Sequence, residues 1–191
     1  MLDSYPQIRP GPPRPSRILT PANVRAQAGS ERYDVPGCGA YLIPVAPGDR
    51  LTIRNAEGGQ VCEVVAADGR GVIDAGVIGA QATGDARGLK ALLLGGGSGM
   101  GGLRLGLERR GIDLGRAGAV VLFGAETPAG TEETFTATRD GVVVIAAPGA
   151  AMAPGAQDTA TPLVVTVQRA ALKLVKGFDL PDPLADPVLD L

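Results

Sequence analysis

Histidine and tryptophan are absent from this sequence of 191 residues, cysteine occurs twice, and the aromatic residues are three tyrosines and three phenylalanines. Each shortage excludes something. Without histidine there is no Ser/His/Asp relay and no imidazole-ligated metal centre, and Cys38 and Cys62 cannot complete a four-ligand zinc site by themselves. A carboxylate site for magnesium stays open on composition, but the acids are scattered, and the adjacent pair Glu132 and Glu133 reads as a solvated strand edge. The two thiols, neither in a CxxC pair nor numerous enough for a disulfide framework, read as reduced small hydrophobes and point to a cytoplasmic compartment. With so few aromatics, small side chains must fill the core.

Other absences bound the class. No apolar run approaches the length of a membrane span, and the first residues lack the basic-then-apolar pattern of a secretory signal. A net charge of −2 gives no overall footprint for nucleic acid. What is abundant is glycine, at 29 residues, and proline, at 16, which favours many turns and short strands over long helices. A hydrophobic fraction of 45% supplies one core, so a single domain with tails is expected.

Along the chain, residues 1–30 read as an extended arm, rich in proline and arginine over 4–19, with a short helix over 21–28 capped by Thr20 and Pro21. Its PPRP stretch could meet a polyproline-reading partner, although an unstructured lead-in is the plainer reading. Residues 31–169 read as a mainly β domain, barrel-like or two-sheeted and antiparallel, with a few short helices. Strands are expected near 40–45, 50–55 and 60–66 as a meander, with 47–66 forming a hairpin around Glu57, Gly58 and Gly59. Leu89, Leu92 and Leu93 share a helical face behind Asp85 as cap, or belong to a strand over 89–94. A second helix is expected from Ser98 to Arg110, stopped by Gly111. Further strands follow at 119–123, 134–139, 142–146 and 163–167. Asp140 and Gly141 between β-branched residues predict a tight primed turn joining two paired strands, and the unbroken apolar run over 142–145 predicts a strand covered on both faces. Residues 170–191, with prolines at 181, 183 and 187, read as a C-terminal linker.

The residues with chemistry to offer cluster at Glu57, Gln60, Cys62 and Glu63, a candidate binding site with an amide, a thiol and two carboxylates. In a regular strand Gln60 and Glu63 face opposite ways, so they converge only where the strand is interrupted. The plainer reading puts Cys62 in the core and lets Gln60 and Glu63 satisfy turn backbone groups. Residues 97–102, GSGMGG, satisfy GxGxxG, but the flanking segments do not build a convincing βαβ unit, so a glycine loop is favoured over a dinucleotide site.

Gly48 and Asp49, then Glu57, Gly58, Gln60 and Glu63, followed near the C-terminus by the TPL and strand of residues 152–167, resemble the urea carboxylase-associated family, a group of domains of unknown function. Members of that family with an active-looking centre carry a histidine-containing GRHD segment and further cysteines. Their absence here implies a divergent copy that keeps the scaffold and lacks a catalytic centre, with no catalytic, cofactor-binding or metal residue of its own. The chain also resembles the N-terminal region of bacterial proteins in which such a domain precedes a folate-dependent aminomethyltransferase module like the glycine cleavage T protein. That implies a scaffold or interaction module whose partners are downstream domains of the same polypeptide or a second copy, with tetrahydrofolate, if used, bound downstream. The alternatives are a small-molecule hydrolase acting on amides, ureas or guanidine-like compounds and, third, a dinucleotide-binding domain.

Overall fold

The computed structural model describes residues 29–97, 99–115, 117–149 and 160–170. The expected arm, the helix over 21–28 and the linker after residue 170 lie outside them. The described residues form nine strands: β1 (Ser30–Val35), β2 (Gly39–Val45), β3 (Arg50–Asn55), β4 (Cys62–Asp68), the two-residue β5 (Gly84–Asp85), β6 (Gly118–Leu122), β7 (Thr131–Thr136), β8 (Gly141–Ala147) and β9 (Leu163–Gln168). Two helices, α1 (Arg87–Gly95) and α2 (Met100–Glu108), and a 3-10 turn at Ala75–Ile78 complete the set.

The strands make two antiparallel sheets, ordered β1-β9-β3-β7 and β2-β8-β4-β6-β5. The domain is therefore mainly β and two-sheeted, as expected. Apart from the short β5 insertion, this is the strand order of a jelly roll, in which every connection changes sheet except the one from β4 to β6. Alternation along β3 sends Leu51 and Ile53 inward to meet Val35, Ile43, Ile145 and Val165 between the sheets. The helices cover the outer face of the second sheet, where Leu89, Met100, Leu103 and Leu107 pack on Val65 and Val144. Strands β4 and β8, with both faces covered, are buried nearly end to end, as the apolar run over 142–145 predicts.

Three expectations about strand pairing are overturned. Strands β3 and β4 do not form a hairpin, because β3 pairs with β7 and β9 while β4 pairs with β6 and β8. The meander fails for the same reason, since β2 pairs with β8 rather than with β3. Strands β7 and β8 also lie in different sheets, so Asp140 and Gly141 close no hairpin, and neither has the positive φ that a primed turn requires. Gly141 serves close approach instead: a Cβ there would lie 2.4 Å from the Ala67 carbonyl oxygen of β4. Period-two alternation reports that one face is buried and says nothing about which neighbour pairs, and a turn between strands serves a sheet crossing as well as a hairpin.

Helix α1 forms where the leucine spacing predicts it. Asp85, however, lies in β5, and the N-cap is Ala86, which offers no side-chain bond. Helix α2 starts at Met100 behind Gly99, Ser98 lies outside the described residues, and Gly111 at φ +67° ends the turn that follows.

The point where β2 turns into β3 is held by charge. Asp49, 2% exposed, accepts from the Ala46 amide (3.0 Å), the Ala170 amide (2.8 Å) and Arg169 Nη1 (2.6 Å). Arg169 also grips both oxygens of Glu31 at 2.8 and 2.7 Å. Burial pushes the Asp49 carboxyl up, but the two amides and the guanidinium outweigh it and hold it below its ordinary value; Arg169 and then Tyr33 do the same for Glu31. Groups with depressed folded values stabilise the fold above their ordinary range and lose that contribution as pH falls through it. The domain is thus expected to weaken below about pH 4. Arg169→Leu should cost about 2–3 kcal/mol at neutral pH, because it strands the buried Asp49 carboxylate, and should flatten the acid dependence. Urea unfolding of both proteins between pH 3 and 7 measures this, and parallel pH profiles would contradict it.

Candidate functional site

A cavity of about 610 Å³ opens where the β3–β4 crossing meets the start of α1 and the end of β8, lined among others by Gln60, Glu63, Arg87, Gly88, Pro148 and Thr161. The strand that should have separated Gln60 from Glu63 does not begin until Cys62, so Gln60 lies in the irregular lead-in and both side chains reach the same cavity wall. Gly58 and Gly59, at φ +82° and +69°, provide the left-handed turns that allow the crossing.

Gln60 is 5% exposed and fully engaged. Its amide nitrogen donates to the Val61 carbonyl (2.7 Å) and to the Pro148 carbonyl (2.9 Å), and its oxygen accepts from the Thr161 amide (2.8 Å). One side chain therefore ties the crossing to the ends of β8 and β9. Glu63, 6% exposed, points from β4 at the first turn of α1, where Oε1 accepts from the Gly88 amide (2.8 Å) and Oε2 from the Leu89 amide (2.7 Å). The first amides of a helix have no partner within it, and a carboxylate there also meets the positive end of the helix dipole. Glu63 supplies the cap that Ala86 cannot. The fit is close, since a Cβ at Gly88 would sit 2.4 Å from Pro148 Cβ and 3.0 Å from Glu63 Oε1.

The other two candidates lie elsewhere. Cys62 is fully buried between the sheets, and burial, with Glu63 alongside, pushes its thiol well above the ordinary range, so it presents no thiolate. Glu57 is exposed on the turn and does not line the cavity. Asn55 was not singled out by its sequence context, yet it is fully buried: its amide nitrogen donates to the Gln60 carbonyl (2.9 Å) and its oxygen accepts from the Gly58 amide (3.0 Å). An asparagine closing a strand two residues before a glycine turn was the available signal. Arg87, exposed at the rim, and Thr161 Oγ1, buried without a partner among the described residues, are cavity groups with polar capacity left over.

The glycine stretch over 97–102 follows helix α1 rather than a strand, and both sheets are antiparallel, so the setting of a dinucleotide fingerprint is not built. Among the described residues no three or more Cys, Asp or Glu side chains gather in a way that could hold a metal ion, and no helix is long and apolar enough to cross a membrane.

Two predictions test this account. Glu63→Ala should destabilise the domain by about 2–3 kcal/mol, since it leaves two helix amides without a partner in a largely buried site. Hydrogen exchange should be fastest to respond at residues 87–90, and an unfolding curve matching that of the parent chain would refute the capping role. In a Cys38→Ser background, Cys62 should resist an aromatic disulfide reagent until the protein unfolds, with labelling followed against urea; immediate labelling under native conditions would contradict its burial.

No family model matches the chain. Over its whole length it is 57% identical, across 192 aligned residues, to trimethylamine-oxide aldolase of Ruegeria pomeroyi, and it spans 24% of that protein's length. Among solved structures, a DUF1989 family protein from Silicibacter pomeroyi is similar over 84% of this chain and 85% of its own, with 15% identity and a TM-score of 0.44, a likeness too loose to carry an argument.

Proposed function

We propose that the chain is a non-catalytic scaffold and interaction module of a larger polypeptide, with the chemistry of that polypeptide lying outside the module. The observation that carries this reading is the use made of Gln60 and Glu63. Every donor and acceptor atom of the amide, and both carboxylate oxygens, are engaged by backbone groups of the fold itself. A general base must accept a proton from substrate, and Glu63 could turn to one only by releasing the first turn of α1. With Cys62 sealed in the core and no histidine in the sequence, the described residues of the cavity present no nucleophile and base within reach of one another.

The 57% identity with a stretch making up 24% of trimethylamine-oxide aldolase supports a place in a larger enzyme of that kind. All carbons of trimethylamine oxide are methyl carbons. An aldolase cleavage of it therefore balances as dimethylamine plus formaldehyde, a one-carbon product. A tetrahydrofolate-binding, aminomethyltransferase-like module elsewhere in the polypeptide would accept that carbon, which is the role assigned here to downstream domains.

The test compares residues 1–191 alone with the polypeptide that contains them. The isolated chain should release no dimethylamine from trimethylamine oxide and no ammonia from amides, ureas or guanidines, whereas the containing polypeptide should cleave trimethylamine oxide. In the latter, Gln60→Ala should lower thermal stability while leaving KM unchanged. Turnover by residues 1–191, lost in both Gln60→Ala and Glu63→Ala, would defeat the scaffold reading and promote the hydrolase.

A further inference from the structure

The cavity between the β3–β4 crossing and α1, at about 610 Å³, falls within the size range of small-molecule sites. Gln60 and Glu63 are spent on the fold, but two groups beside them keep bonding capacity. Arg87 stands at the mouth on the first turn of α1, and its one ion pair among the described residues is a loose one, 3.4 Å to the exposed Asp85. Thr161 Oγ1 is closed off from solvent with no hydrogen-bond partner among the described residues, although Thr161 as a whole is partly exposed. A buried hydroxyl left without a partner is a cost to the fold, and in native proteins such a group marks a place where a bonding partner belongs. Because Thr161 lines the cavity, a turn between staggered χ1 positions can present the hydroxyl there with the backbone in place.

Charge selects the ligand. A guanidinium offers paired donors that match a carboxylate or a phosphate. Glu63, 6% exposed on the same wall, places its own carboxylate against the Gly88 amide. A doubly charged phosphate would meet that carboxylate with twice the repulsion a monocarboxylate meets, in a site where burial weakens screening. The choice therefore falls on the single charge. Val61, Ala91 and Pro148 add carbon surface to the wall, and among the described residues no aromatic ring lines it to stack a base or a sugar. A short aliphatic body suits such a lining.

We infer that the cavity binds a small monocarboxylic acid, with its carboxylate on Arg87, its carbon body along Val61, Ala91 and Pro148, and a second polar group, a hydroxyl or an amide, bonded to Thr161 Oγ1. An acid bound there ties α1 to the β3–β4 crossing from the open side, where Glu63 ties them from within. The inference goes beyond the scaffold reading and does not depend on it.

The experiment titrates the isotopically labelled chain with monocarboxylates of about three to six carbons, each with and without a terminal hydroxyl or amide, and with inorganic phosphate. Thermal unfolding first confirms that each variant folds. Amide resonances of Gln60, Gly88, Ala91 and Thr161 should move saturably with an acid bearing the second polar group. Arg87→Gln should weaken that binding about tenfold, as for one charge-assisted hydrogen bond. Arg109→Gln, which removes a cation at the end of α2 that does not line the cavity, should leave it unchanged. Thr161→Val is read by its sign. In the ligand-free chain it should raise the unfolding temperature, because it deletes an unpaired hydroxyl, and it should lower the affinity for the acid. A Thr161→Val chain that unfolds below the parent shows that the hydroxyl is already bonded and overturns the proposal. Absence of saturable shifts with every acid, tighter binding of phosphate, or equal binding by Arg87→Gln overturns it as well. Failure of binding in a chain that stays catalytically silent removes the site and leaves the scaffold reading, whereas an acid that binds and is turned over keeps the site and removes that reading.

Discussion

A domain whose first four strands lie alternately in opposite sheets cannot rely on hairpins to set their register. In a hairpin the turn and the first ladder bonds fix one strand against the next. Here the chain from β1 to β4 changes sheet at every connection, and its ladders join strands far apart in sequence, such as β2 with β8 and β3 with β9. The crossings need another constraint, and the buried polar side chains provide it. Asp49 holds the β2–β3 crossing, Asn55 and Gln60 hold the β3–β4 crossing, and Glu63 fixes α1 to β4 just beyond it. These four are the buried polar or charged residues among those described. A polar group is tolerated in such a place when its bonds are made, and once made they specify one geometry, because any slip leaves a buried donor or acceptor unpaired.

This accounts for why the stretch from Gly48 to Glu63 looked functional. It combines glycines, an aspartate, a glutamine and a glutamate at irregular spacing between strands, which is also the chemistry of a binding loop. Sequence spacing does not distinguish a glutamine reaching for a ligand from one reaching for the Pro148 carbonyl 88 residues on. The same residues carry the resemblance to the urea carboxylase-associated family, and in this chain all of them except the exposed Glu57 belong to the crossings or to the cap of α1.

What could be read from the sequence followed what is local. Period-two alternation located β3, short apolar runs between turn residues located β2 and β9, the leucine spacing located α1, and the unbroken apolar run over 142–145 located β8 and marked it as covered on both faces. Pairing was misread because it is nonlocal. The Asp140–Gly141 pair carries the strongest hairpin signal in the chain, yet Gly141 is needed for contact with the Ala67 backbone of a strand more than seventy residues away. Strand β1 escaped notice because its SERYDV sequence turns Arg32 and Asp34 to solvent and commits Glu31 and Tyr33 to the Arg169 cluster, leaving Val35 as its fully buried apolar residue.

The cavity follows from the same constraint. Crossings held by side chains leave space where the backbone cannot close, and one such space lies where Gln60 and Glu63 reach from one irregular segment toward Pro148, Thr161 and α1. Its wall therefore carries Gln60 and Glu63, whose hydrogen bonds are already made within the fold. A ligand that took those bonds would do so at the expense of the β3–β4 crossing and the α1 cap. A ligand that left them intact would find its polar contacts in Arg87 at the rim and in the buried hydroxyl of Thr161. Anchoring of that kind can hold a molecule, but it supplies neither an oriented nucleophile nor a positioned base. On the scaffold reading proposed above, chemistry in a polypeptide containing this module would draw its reactive groups from elsewhere, and the module would contribute the geometry in which it holds its neighbours.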